Sequence, residues 1–109
     1  MLLMLLGVDR HNVGTVFDAG NYALMKKGSD IVAVEKLVKH IKHVHAKDIG
    51  LDGEQCPIGS GIVNWKYIID ALDKSGYTGD YSVEYEVDDA GAREAGLVAS
   101  YNSLKELLA

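Results

Sequence analysis

The chain has 109 residues, 48% of them hydrophobic and 25% charged, which is too short for more than one domain and too apolar for a disordered chain. A formal net charge of -5 argues against a nucleic-acid-binding or anionic-membrane surface. The single Cys56 excludes an internal disulfide and suits a reducing compartment.

The opening Met1-Leu2-Leu3-Met4-Leu5-Leu6 is apolar but too short to span a bilayer. It lacks the basic segment and cleavage site of a signal peptide, so a cytoplasmic protein is expected. Over six residues, periodicity does not separate a strand from the last turns of a helix. Residues 7–12 are polar and read as a connection. Residues 13–18 alternate and are rich in β-branched side chains, which predicts a strand with Gly14, Val16 and Asp18 on one face. Residues 22–27, after Gly20, suit a short helical turn. Ser29 or Asp30 is expected to N-cap a helix reaching about Lys39. Its Ile31, Val34, Leu37, Val38 and Ile41 fall at helical steps. Lys36, Lys39 and Lys42 gather near its end, where the helix dipole favours cations.

Residues 41–47 read as a second strand. Alternation puts His43, His45 and Lys47 on one face and Val44 and Ala46 on the other. Residues 49–61 are expected to form one long loop, punctuated by Gly50, Asp52-Gly53, Pro57, Gly59 and Gly61. Asn64 is a natural N-cap for a helix striped by Trp65, Ile68, Ile69 and Leu72, and Gly76 suits its C-terminal turn. Residues 81–85 predict a third strand. Asp88 or Asp89 then caps a final helix, with Ala90, Leu97, Tyr101, Leu104 and Leu108 as its expected buried stripe.

Strands alternating with helices of this length imply βαβ crossovers, a parallel sheet and an α/β fold. In such folds the chemistry sits at the C-terminal ends of the strands, where this chain places Asp18, His45 and Glu84. Each alone has a commoner use: an Asp caps a turn or helix, a His packs, a Glu pairs at the surface. Together, at equivalent positions of successive βα units, they form a mixed oxygen/nitrogen donor set suited to Mn²⁺, Mg²⁺, Zn²⁺ or Co²⁺. A divalent ion on two substrate oxygens polarises a carbonyl and acidifies the adjacent carbon, and a nearby carboxylate can carry the proton between carbons. Lys47 on the same face suits contact with a substrate phosphate or hydroxyl, while His43, one layer deeper, is expected to pack. The segment Pro57-Ile58-Gly59-Ser60-Gly61 reads either as an ordinary loop or as a cradle of N–H groups for an anion. Glu86 is expected to be solvated.

The runs Asp18-Ala19-Gly20-Asn21, His43-Val44-His45-Ala46-Lys47-Asp48, Pro57-Ile58-Gly59-Ser60-Gly61-Ile62-Val63-Asn64-Trp65 and Gly76-Tyr77-Thr78-Gly79-Asp80-Tyr81-Ser82-Val83-Glu84, in that order, closely resemble the C-terminal part of the xylose-isomerase-like TIM barrels. These are sugar-phosphate isomerases and epimerases. The resemblance, which covers about residues 12–108, implies a partial (β/α)8 TIM barrel, its last three parallel βα units, within a single domain of residues 1–109. It also implies a divalent metal, Mn²⁺ foremost, held by Asp18, His45 and Glu84. Glu84 would double as proton-transfer base, with Asn21 and Lys47 contacting substrate. Asn21 stands where many members have a histidine, and Ser60 where many have a glutamate.

The expected activity is isomerisation or epimerisation of a sugar or sugar phosphate, by proton transfer beside a carbonyl through an enediolate held on the metal. The isolated chain is expected to be inactive, because three βα units leave the barrel open and the acidic ligand of the fifth strand missing. A missing N-terminal barrel half or a second copy is the expected macromolecular partner. Were residues 1–6 a fourth strand, two copies could supply eight. The alternatives are a non-catalytic barrel fragment, an inositol-pathway dehydratase and a zinc-dependent apurinic endonuclease relative. Asn21 and the net negative charge count against the last.

Overall fold

The computed structural model describes residues 1–109. Its elements run α1 (Leu2–Val8), β1 (Thr15–Asp18), α2 (Ala19–Met25), α3 (Ser29–Leu37), a short 3-10 turn (Val38–His40), β2 (Ile41–Ala46), β3 (Asp48–Ile49), β4 (Gln55–Cys56), α4 (Trp65–Lys74), β5 (Tyr81–Val83) and α5 (Ala90–Leu108). The strands expected from alternation, β1, β2 and β5, form one parallel sheet in the order β1-β2-β5. Parallel strands joined by helices are the arrangement expected of part of a TIM barrel.

Strand periodicity decides what each face does. Phe17, Val44 and Ala46 point toward the helices and are fully buried, within a core that includes Val34, Leu37, Ile68 and Leu72. The alternate residues face the other way, where Val16 is 52% exposed. The register is the second determinant of the site. Asp18 lies opposite His45, and His45 opposite Ser82. Pairing continues past β5, because the Glu84 N–H donates to the Ala46 carbonyl at 2.9 Å. Glu84, two residues beyond Ser82, therefore shares the face of His45 and Asp18.

Several expectations are corrected. The choice left open over residues 1–6 falls to helix: residues 2–6 lie in α1, whose Leu5 N–H bonds back to the Met1 carbonyl, so the fourth strand on which an eight-stranded pair of copies depended is not formed. Helix α3 starts after Gly28, which has a positive φ of 86° and no side chain to cap with. Asp30 is buried and accepts the Asn64 N–H at 3.2 Å, so it fastens the start of α4 rather than capping its own helix. The stretch 49–61 is not one open loop: β3 and β4 pair antiparallel within it.

Helix α5 buries Gly96, Ser100 and Leu104, while Leu97, Tyr101 and Leu108 are exposed. It docks through small residues. A Cβ on Gly96 would sit 2.0 Å from the Tyr85 ring, and the Ser100 hydroxyl accepts the Ile58 N–H at 3.1 Å. Helix α4 follows its pattern, with Asn64 Oδ1 accepting the Tyr67 N–H, Trp65, Ile68, Ile69 and Leu72 buried, and Gly76 at φ 84° beyond its end. No helix is long and apolar enough to cross a membrane.

Candidate metal centre

Asp18, His45 and Glu84 each present one donor atom, and the three atoms lie within 4.8 Å of one another. The strands explain the convergence, since a parallel sheet in register brings equivalent C-terminal positions side by side. His45 Nδ1 is 3.1 Å from Glu84 Oε1. Asp18 serves two ends of the structure at once. Its Oδ1 caps α2 by accepting the Asn21 N–H at 2.9 Å, which leaves Oδ2 facing the cluster. One imidazole nitrogen and two carboxylates, partly buried and close enough to share one ion, suit a borderline or hard divalent cation.

Lys47 completes the cluster. Its Nζ lies 3.0 Å from Asp18 Oδ2 and 3.3 Å from Glu84 Oε2, and its side chain is only 12% exposed. Burial alone pushes the ammonium group down, but the Asp18 and Glu84 carboxylates outweigh it and hold the group above its ordinary value. His43 lies on the same face, as alternation predicts. Its ring meets the His45 ring edge-on at 5.4 Å, and its Nε2 hydrogen-bonds Ser82 Oγ at 2.8 Å. Asn21 is exposed in the first turn of α2, beside Asp18.

The neighbour of Lys47 goes the opposite way. Asp48 is completely buried. Its carboxylate accepts the backbone N–H groups of Ile49, Gly59, Gly61 and Val63. Burial pushes its carboxyl above the ordinary range, against the pull of these donors. Within the segment 57–61 the Gly59 and Gly61 N–H groups are thus engaged by Asp48, the Ile58 N–H by Ser100 and the Ser60 N–H by the Pro57 carbonyl, so the segment is an internally braced loop rather than a cradle for an outside anion. Close packing makes Gly61 obligatory here, since a Cβ would fall 2.2 Å from Asp48 Oδ1 and 2.4 Å from the Ile49 carbonyl.

Gln55 escaped the sequence reading. Its amide donates to the Glu84 carbonyl at 2.9 Å and accepts the Glu86 N–H. It therefore clamps the segment that presents Glu84, while the Glu86 side chain is exposed as expected. A glutamine in a turn-rich stretch carries no signal of its own for such a role; only the β3–β4 pairing places it there.

A family profile described as xylose isomerase-like TIM barrel matches residues 2–107. The chain belongs to that family. An uncharacterized protein of Methanocaldococcus jannaschii is 35% identical over 112 residues, which is 99% of this chain and 36% of that protein. An inosose dehydratase of Geobacillus thermodenitrificans is 30% identical over 75% of this chain and 33% of its own length. A solved xylose isomerase domain protein from Planctomyces limnophilus superposes with a TM-score of 0.84 at 26% identity, over 97% of this chain and 41% of the other. A D-tagatose 3-epimerase-like protein gives a TM-score of 0.71 at 29% identity, over 99% and 40%. The chain thus spans about a third of the curated relatives it matches and about two fifths of the solved structures.

Proposed function

We propose that this chain carries the metal-holding side of a sugar or sugar-phosphate isomerase or epimerase site. The observation that carries the reading is the convergence of Asp18, His45 and Glu84 donor atoms within 4.8 Å, at the C-terminal ends of parallel strands. In the proposed roles these three residues hold a divalent cation, with Mn²⁺ foremost and Mg²⁺, Co²⁺ or Zn²⁺ as the other candidates. When bound, such an ion supplies the Lewis acidity that eases removal of a proton beside a carbonyl.

The remaining roles fall to the chain's own groups. The Glu84 carboxylate takes the proton from the carbon beside the carbonyl; returning it to the neighbouring carbon gives isomerisation, whereas epimerisation requires a second acid on the opposite face. Lys47 keeps a third ammonium hydrogen beyond its two ion pairs, free to donate to a substrate oxygen. The Asn21 amide can hydrogen-bond a sugar hydroxyl but cannot act as a base. A dehydratase acting on an inosose is a second reading, favoured by the Geobacillus relative; it begins with the same proton abstraction.

The 109 residues alone are proposed not to turn over ketoses, because the face that bears the site is open and β1 and β5 are unpaired at the sheet edges. A sugar is the proposed small-molecule partner, and either further barrel units or a second copy would cover those edges. The lone Cys56 fits a cytoplasmic setting.

Two measurements test this. Titration of the full chain with Mn²⁺ should show binding that weakens at least about tenfold in Asp18→Ala and in His45→Ala, each ligand contributing on the order of a kcal/mol or more; unchanged affinity overturns the metal site. Incubation with Mn²⁺ and ketoses in D₂O should give no deuterium beside the carbonyl, and exchange would overturn the inactivity of the isolated chain.

A further inference from the structure

Lys47 is held by more than its ion pairs. Its stem lies across Gly20, where a Cβ would fall 2.6 Å from Lys47 Cγ, 3.4 Å from Cδ and 3.2 Å from the Lys47 carbonyl oxygen. Gly20 lies inside α2 and has no positive φ, so its backbone does not require glycine. A glycine within a helix costs stability relative to alanine. What the missing side chain provides here is a slot, and the slot delivers the ammonium group to Asp18 Oδ2 and Glu84 Oε2. The other oxygens have partners of their own: Asp18 Oδ1 takes the Asn21 N–H, and Glu84 Oε1 faces His45 Nδ1.

We propose that Lys47, seated in the Gly20 slot, is a built-in rival of the divalent cation and sets the affinity of the site. The inference rests on the metal-holding reading above and adds a determinant to it. Lys47 engages one oxygen of each carboxylate that the cation needs. It also reduces the charge of the Asp18–Glu84 pair from two negative to one. With Lys47 in place the carboxylates stay together without a metal, and an incoming ion must share or displace the ammonium group. Without it, two carboxylates held by the sheet register face each other with no counter-charge, which favours a divalent ion.

The test is Mn²⁺ binding to the full chain, by calorimetry or by the electron paramagnetic resonance of free Mn²⁺, at fixed ionic strength. Lys47→Met and Lys47→Gln should each bind Mn²⁺ at least about tenfold more tightly than the parent, as removing a unit positive charge beside a divalent-ion site implies even under strong screening. Gly20→Ala, which pushes the stem out of its slot, should shift affinity in the same direction. In the Lys47→Met background Gly20→Ala should add nothing, because both changes remove the same interaction. Equal or weaker binding by both Lys47 variants overturns the rivalry while leaving the metal site standing. A Gly20→Ala effect that persists without Lys47 overturns the slot. No binding by the parent or any variant overturns the metal-holding reading and this inference together.

Discussion

The two faces of the β1-β2-β5 sheet are built from the same short strands and do opposite work. On the helix side Phe17, Val44 and Ala46 are fully buried, chosen for volume and apolarity. On the open side Asp18, His43, His45 and Ser82 meet as polar groups with named partners. The step from Lys47 to Asp48 shows the division within one peptide unit. Lys47 turns to the open face and is neutralised by side chains; Asp48 turns inward and is satisfied by backbone N–H groups. Folding free energy is therefore concentrated on one face and chemistry on the other, and substitutions should separate the two.

The largest effect is expected on the helix side. Phe17→Ala removes a fully buried ring that stacks on Tyr22 at 5.6 Å, and should cost about 3–5 kcal/mol in a urea melt. That is a large share of the stability of a small domain. A loss under 1 kcal/mol would show that the face collapses around the gap and that the division between faces is weaker than drawn.

Asp48→Ala comes next. It strands several inward-facing N–H groups, each with a desolvation cost of about 1–3 kcal/mol, so a loss of at least that size is expected. Asp48→Asn should rescue little, since its NH₂ would face N–H donors. Equal stability of the Asn variant and the parent would show that the carboxylate charge is not what the loop requires.

How much of this was legible in the sequence follows the same division. Alternation in residues 13–18 and 41–47 gave both faces of the sheet, and the positions of Asp18, His45 and Glu84 at strand ends anticipated their convergence. Capping at Asn64 and the turn at Gly76 were legible because both are local backbone signals. What escaped depends on partners far along the chain. Asp30 reads as a cap until Asn64 arrives 34 residues later. Asp48 has no role of its own in the sequence until the Gly59–Gly61 backbone closes over it. Gly96 and Ser100 carry no hydrophobic signal, yet they form the docking face of α5 because Tyr85 and Ile58 approach there. Over residues 1–6 six apolar side chains carry no period, so helix and strand were equally open.

At the boundary between the faces, Asp18 tests whether a structural and a site role separate. Asp18→Asn keeps an oxygen able to accept the Asn21 N–H but loses the charge. It should cost little stability and weaken Mn²⁺ binding. Asp18→Ala should lose about 0.5–2 kcal/mol as well, the usual cost of an N-cap. If both variants lose stability equally, charge rather than capping holds the start of α2.

The smallest effect is expected at Val16, on the open side and 52% exposed between two buried neighbours, Thr15 and Phe17. Val16→Ser changes an apolar contact that the chain makes chiefly with solvent, so stability should move by no more than about 0.5 kcal/mol, apart from a small strand-propensity cost. The same substitution at Val44, its counterpart on the buried face, would introduce an unpaired hydroxyl into the core and should cost several times more. The ratio between the two measures the asymmetry directly. A Val16→Ser loss that approaches the Val44 value, and that grows with protein concentration, would mean that a second copy covers the open face in solution. The sheet would then be buried on both sides, as parallel sheets usually are, and Asp18, His45 and Glu84 would lie at an interface rather than on an open face.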